Sequence, residues 1–167
     1  MQTLVILVGI PGSGKTTFAQ ELSKRSAWDW INQDTLGNRY ACEEAARVAL
    51  SQGHNVIIDR CNFDESQRSV WVRLAQETCQ NRVQIIAVQL LMPLEVCIAR
   101  VQRRRSHPTL RPADGTRVCG RMSNLLSIAY LGEGFNAVLT ARRPEEVQRL
   151  YQHFEELVTA GAAGAVR

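Results

Sequence analysis

No stretch of this chain is long and apolar enough to cross a membrane. Its most hydrophobic run, residues 4–8, is broken soon afterwards by Gly9, Pro11 and Lys15. No basic residue precedes that run, so it lacks the charged start of a secretory signal and reads as a strand. Cysteine never occurs in C-x-x-C spacing. Cys42, Cys61, Cys79, Cys97 and Cys119 are scattered, which argues against a zinc site and a disulfide framework. An odd number of such thiols suits a reducing compartment, cytoplasmic or nuclear, with the thiols acting as small apolar side chains. Internal repeats and Gly/Pro/Ser-rich linkers are also missing. Acid is nearly missing from one region: Arg100, Arg103, Arg104, Arg105, Arg111, Arg117 and Arg121 have Asp114 as their only acidic neighbour in that segment. That segment reads either as a solvated helix face or as a surface that handles phosphates.

What remains is an ordinary globular composition. With 167 residues, 45% of them hydrophobic and 22% charged, the chain suffices for one domain with a sizeable core. Its most informative stretch is Thr3-Leu-Val-Ile-Leu-Val-Gly-Ile-Pro-Gly-Ser-Gly-Lys-Thr-Thr17. It fits G-x-x-x-x-G-K-[ST] at Gly9, Gly14, Lys15 and Thr16, between a β-type run and a helical one. In such a loop the backbone from Gly12 through Ser13, Gly14, Lys15, Thr16 and Thr17 cradles the phosphates of ATP or another nucleoside triphosphate. Lys15 reaches the β- and γ-phosphates and the Thr16 hydroxyl meets Mg²⁺. The following helix adds the positive end of its dipole.

Strand and helix patterns alternate along the rest. Strands are expected at residues 4–8, 30–32, 55–58, 83–91 and 137–139. Helices are expected at 15–25, 42–51, 66–79, from 93 through 101, 117–126 and 144–158. Gly53 is a helix stop, Asp64 an N-cap and Pro93 a helix start. Residues 1–159 make one domain, with an arginine-rich lid around 100–115, and 160–167 form a flexible tail. Alternating β and α units imply an α/β fold whose parallel sheet is covered on both faces, with ligands at the carboxyl ends of its strands.

Three groups would meet there. Asp34 follows the second strand and suits either a helix N-cap or a base that takes the proton of an attacking hydroxyl. Asp59 ends Val56-Ile-Ile-Asp59 and suits either a turn or a Mg²⁺ ligand. Asn62 lies just beyond it. Arg100 and Arg104, four apart on a helix, could stabilise transferring phosphate beside a loop that closes over the donor. His107 reads as an ordinary loop residue. Trp28, Trp30 and Trp71 read as core or rim.

With these residues the chain resembles the kinase module of polynucleotide 5′-kinases, within the P-loop phosphotransferases. The resemblance runs from Leu4 to about Phe135. It rests on Gly9-Ile-Pro-Gly-Ser-Gly-Lys-Thr-Thr17, on Asn32-Gln-Asp-Thr-Leu-Gly37 and on Gly53-His-Asn-Val-Ile-Ile-Asp-Arg-Cys-Asn-Phe-Asp64. Polynucleotide kinase-phosphatases of animals look very similar in these stretches. The form with Arg60 and Cys61 resembles kinase-like domains fused to aprataxin-type proteins; many relatives read Asp-Asn-Thr-Asn where this chain has Asp59-Arg-Cys-Asn62. The resemblance implies a P-loop kinase fold with about five strands in the order 2-3-1-4-5. It implies Asp34 as general base, Thr16 and Asp59 at Mg²⁺, and Arg104 as the lid arginine with Arg100 beside it. Arg39, with Asn62 and Asp34, would contact the acceptor.

The expected activity is transfer of the γ-phosphate of ATP to the 5′-hydroxyl of RNA or DNA, in nucleic-acid repair or RNA processing. Two alternatives stand beside it: a kinase acting on a small-molecule hydroxyl, and a nucleotide-binding adaptor. The sequence carries no signal for a particular oligomeric state and none for a membrane partner.

Overall fold

A computed structural model describes residues 1–104 and 110–164. Five strands, β1 (Gln2–Val8), β2 (Trp28–Asn32), β3 (Asn55–Asp59), β4 (Val83–Leu90) and β5 (Ala137–Ala141), form one parallel sheet in the order β2-β3-β1-β4-β5. This is the expected fold class and strand order. The helices are α1 (Lys15–Arg25), α2 (Gln33–Leu36), α3 (Arg39–Ser51), α4 (Glu65–Cys79), α5 (Leu94–Arg103), α6 (Gly115–Leu125) and α7 (Pro144–Gly164).

The central strands show why the sheet is covered on both sides. Along β1, Leu4 and Ile6 enter one core with Trp71 and Leu74 of α4 and Ala46 and Leu50 of α3. Val5 and Leu7 enter the other, with Phe18 and Leu22 of α1, Cys97 and Val101 of α5 and Phe154 of α7. Successive side chains point to opposite faces, and both faces are buried, so the strand reads as an unbroken apolar run. Trp28 and Trp71 are core residues, as expected.

Several boundaries move. Strand β2 starts at Trp28, before the expected Trp30. The four residues of α2 were not foreseen, and α3 starts at Arg39 because the Asn38 carbonyl oxygen Oδ1 accepts the Ala41 N–H at 3.0 Å. Its first turn is exposed and carries no apolar periodicity to announce it. Asp64 caps α4 as expected, accepting from the Gln67 N–H at 2.7 Å. Where a loop was expected at 111–115, a short 3-10 turn at Pro112–Asp114 leads directly into α6. Helix α7 passes Val158 and continues to Gly164, into the segment expected as a tail. His107, Arg105 and the middle of the expected lid lie outside the described residues. No described helix is long and apolar enough to cross a membrane.

Candidate active site

The loop between β1 and α1 is shaped by backbone demands. Gly12 has φ +84°, and a Cβ there would sit on the Cys97 carbonyl oxygen of α5. Gly14, at φ +101°, ends the loop as the N-cap of α1. Only glycine satisfies both requirements at Gly12, which lets α5 press against the loop. The Arg100 guanidinium, one turn beyond Cys97, donates to the Gly12 carbonyl at 3.2 Å. Lys15 is nearly buried and its ammonium donates to the Ile10 carbonyl at 2.9 Å. Two of its three donor positions remain for phosphate oxygens.

A cavity of about 400 Å³ opens at the carboxyl ends of the strands. One side is the loop, with Gly12, Gly14, Lys15 and Thr16, together with Arg104, Val118 and Met122. The other follows β2 and β3, with Asn32, Gln33, Asp34, Asp59, Arg60, Cys61, Phe63 and Gln67. Lys15, Thr16, Asp34, Asp59 and Arg104 thus meet in one cavity.

Asp34 sits in the first turn of α2, but it is not the cap. Asn32 is: its Oδ1 accepts the Thr35 N–H at 3.0 Å and the Thr35 hydroxyl at 3.2 Å. The same side chain donates through Nδ2 to Asp59 Oδ2 at 2.7 Å, and the Trp30 indole donates to that oxygen at 3.1 Å. Asp59 is only 3% exposed, so two donors hold a buried carboxylate in one orientation. Asn32 therefore fixes the helix that carries Asp34 and the strand end that carries Asp59. Asn32 was not singled out from the sequence, and Trp30 was read there only as core or rim. The available signal was Asn32 two residues before Asp34, at a strand-to-helix junction where asparagine is a favoured cap.

Hard oxygen donors from a threonine and one carboxylate, beside a phosphate-binding loop, fit magnesium. That ion takes few protein ligands and completes its shell with phosphates and water. Among the described residues there is no cluster of three or more histidine, cysteine or acidic side chains that would form an all-protein cage.

Three predicted residues fall elsewhere. Arg100 braces the loop and does not line the cavity. The shared helix face with Arg104 is not realised, because α5 ends at Arg103 and Arg104 turns to extended backbone, φ −66° and ψ 128°. Arg39 is on the outer side of α3, paired with Glu43 at 2.8 Å and lying over the Tyr40 ring. Asn62 is 0% exposed and does not line the cavity. Its Nδ2 donates to the Leu7 carbonyl at 2.8 Å, and its Oδ1 accepts the Trp71 indole N–H at 3.0 Å. Its own carbonyl takes a bond from Arg68, which makes a fully buried bidentate pair with Glu133, both 1% exposed. Asn62 is thus a backbone fastener at φ +44°, tying the end of β1 to α4. Asn62→Ala should lower stability by about 1–3 kcal/mol, read from chemical denaturation. An unchanged midpoint with a raised acceptor KM would restore its binding role.

Four cysteines behave as the sequence suggested. Burial raises the thiol pKa of Cys42, Cys79 and Cys119, and pushes Cys97 up to about 11. Cys61 differs in lining the cavity, and its carbonyl accepts the Gly9 N–H at 3.1 Å.

Comparison with known proteins bears on family and fold. A family model described as an AAA domain matches residues 4–42 and 38–118, most of the chain. The chain belongs to the AAA domain family. Over 164 residues this AAA domain is 29% identical to transcription factor bHLH140 of Arabidopsis thaliana, covering 93% of the chain and 18% of that protein. Over 76 residues it is 38% identical to the bifunctional polynucleotide phosphatase/kinase of Schizosaccharomyces pombe, covering 46% of the chain and 19% of that protein. The chain therefore spans less than a fifth of the length of these two relatives. Among solved structures, Chaetomium thermophilum Kti12 in complex with ADP-AlF3 superposes with a TM-score of 0.66 at 15% identity, over 92% of this chain and 97% of that one. The AAA domain thus has the P-loop kinase fold, and its resemblance to polynucleotide kinases is borne out.

Proposed function

We propose that the chain is an ATP- and Mg²⁺-dependent polynucleotide 5′-hydroxyl kinase, acting on RNA or DNA ends inside the cell. The observation that carries this reading is the placement of Asp34 in the cavity that also holds Lys15, Thr16 and Arg104. A carboxylate across from the donor phosphates suits deprotonation and in-line aiming of an acceptor hydroxyl. The polynucleotide class is supported by the name of the Schizosaccharomyces pombe relative and by the arginine-rich segment.

The chain's own residues divide the work. The loop amides and the α1 N-terminus hold the donor phosphates, and Lys15 turns to them the two donor positions that its bond to the Ile10 carbonyl leaves free. Thr16 and Asp59 would hold magnesium, which when bound neutralises charge on the phosphate oxygens. Asp34 accepts the proton of the acceptor hydroxyl as its oxygen attacks phosphorus and the bond to the ADP leaving group breaks. Arg104 stabilises the charge spread over the equatorial oxygens. Catalysis then comes from positioning and electrostatics, with no covalent enzyme intermediate.

The acceptor class has a direct check. The KM for a 5′-hydroxyl oligonucleotide should rise steeply between low and physiological salt while the KM for ATP moves much less, because several phosphate contacts are lost together. A salt-insensitive acceptor KM, with turnover of a neutral sugar, would move the assignment to a small-molecule kinase.

A further inference from the structure

The β2–β3 side of the cavity contains a cation that the scheme above leaves unused. Arg60 follows Asp59, lines the cavity and lies with its guanidinium 5.8 Å from the centre of the Trp71 ring. It is more than half buried, and its Nη1 is enclosed without a hydrogen-bond partner. None of the ion pairs among the described residues includes it. Its surroundings explain why. Oδ2 of the neighbouring Asp59 is engaged by Trp30 and Asn32, and Glu43 is paired with Arg39 and acts on Arg60 only through its charge. A second unpaired atom, Gln33 Oε1, is buried on the same side. Buried polar groups are nearly always paired in folded proteins, and an unpaired charged donor destabilises the fold that keeps it. Both residues also line the cavity, so a ligand that brings an anion and a donor group to this side could supply the missing partners.

We propose that Arg60 is the acceptor-binding cation of this site. It receives a phosphate group carried by the acceptor, next to the hydroxyl presented to Asp34. The proposal rests on the hydroxyl-kinase reading above and assigns to one residue the contact with the acceptor's own phosphate. The donor's phosphates are provided for on the opposite side by the loop, Lys15 and Arg104. Arg39, the other arginine expected at the acceptor, is outside the cavity and tied to Glu43. A guanidinium offers two parallel N–H groups to phosphate oxygens, which a lysine cannot reproduce. Gln67 and Phe63 complete this side, the amide able to bond a sugar hydroxyl and the ring able to pack on a sugar or base. A neutral sugar would leave Arg60 unpaired.

The test is a calorimetric titration of wild-type, Arg60→Gln and Arg60→Lys proteins, each saturated with Mg-ADP to fill the donor loop. Adenosine 3′-monophosphate, a 5′-hydroxyl oligonucleotide and adenosine are the probes. Wild-type protein should bind adenosine 3′-monophosphate at least about 10-fold more tightly than adenosine. Arg60→Gln should lose about 10- to 100-fold for the phosphorylated probes only, with the lysine variant between. Its melting temperature should hold or rise, since an unpaired buried charge is removed. Equal affinity in wild type and Arg60→Gln would overturn the proposal, as would equal binding of adenosine and its 3′-phosphate. So would a variant that melts earlier and loses both probes alike, the mark of a structural arginine. A stronger effect on the oligonucleotide than on the mononucleotide would assign the contact to a polynucleotide phosphate; equal effects would assign it to a terminal one. Transfer from ATP is scored separately. Arg60-dependent binding without phosphorylation of any hydroxyl would refute the kinase reading and leave the site. A working kinase indifferent to Arg60 would do the reverse.

Discussion

Asp34→Ala should lower kcat by about 10²- to 10⁴-fold, the range by which a positioned base accelerates proton transfer, while ATP affinity and the melting curve stay close to wild type. The two expectations belong together. Asp34 lines the cavity in the first turn of α2, and the cap of that helix is Asn32, so its removal does not unfasten α2. Single-turnover kinetics with preloaded nucleotide would separate chemistry from product release. A well-folded Asp34→Ala protein with wild-type turnover would remove the base from the scheme. Asn32→Ala should behave differently, because it loses both the cap and one of the two bonds that orient Asp59.

Arg104→Ala should be at least as damaging, about 10³-fold or more in kcat, as expected for an arginine that meets the charge of phosphoryl transfer. Arg100→Ala supplies the contrast. Arg100 bonds the carbonyl of Gly12, a lining residue, but does not itself line the cavity, so its loss loosens the loop and should appear mainly in the KM for ATP. The pair is informative because helix periodicity alone assigns both arginines the same job. If Arg100→Ala lost as much turnover as Arg104→Ala at saturating ATP, the division between them would be wrong.

Much of this arrangement is legible in the amino-acid sequence. Buried parallel strands are apolar throughout, so β1, β3 and β4 stand out. The loop motif is local, because Gly9, Gly14, Lys15 and Thr16 work through their own backbone and side chains. Asp34 and Asp59 are also found by a simple rule, since each lies at or just beyond the carboxyl end of a strand beside the loop. Long-range partnerships were not legible. Nothing local distinguishes an asparagine that binds substrate from one that fastens β1 to α4. The role of Asn62 depends on Leu7, Trp71 and Arg68, which are brought to it only by the folded sheet. Asn32, and the bond that Trp30 makes beside it, were missed for the same reason, as both bonds to Asp59 cross from β2 to β3. Arg39 and Arg60 show the limit from the other side. Both are arginines near the expected acceptor, yet only Arg60 lines the cavity, while Arg39 lies outside it in an ion pair with Glu43.

The central claim is that the cavity between the Lys15 loop and Asp34 moves a phosphate from ATP to a 5′-hydroxyl. The most direct measurement incubates γ-labelled ATP and Mg²⁺ with matched 5′-hydroxyl RNA and DNA oligonucleotides, then digests the products to mononucleotides to locate the label. The account predicts label on the 5′-terminal nucleotide of at least one strand, lost in Asp34→Ala. Absence of label from both strands, in a protein that binds ATP and labels a small-molecule hydroxyl or nothing, would contradict it.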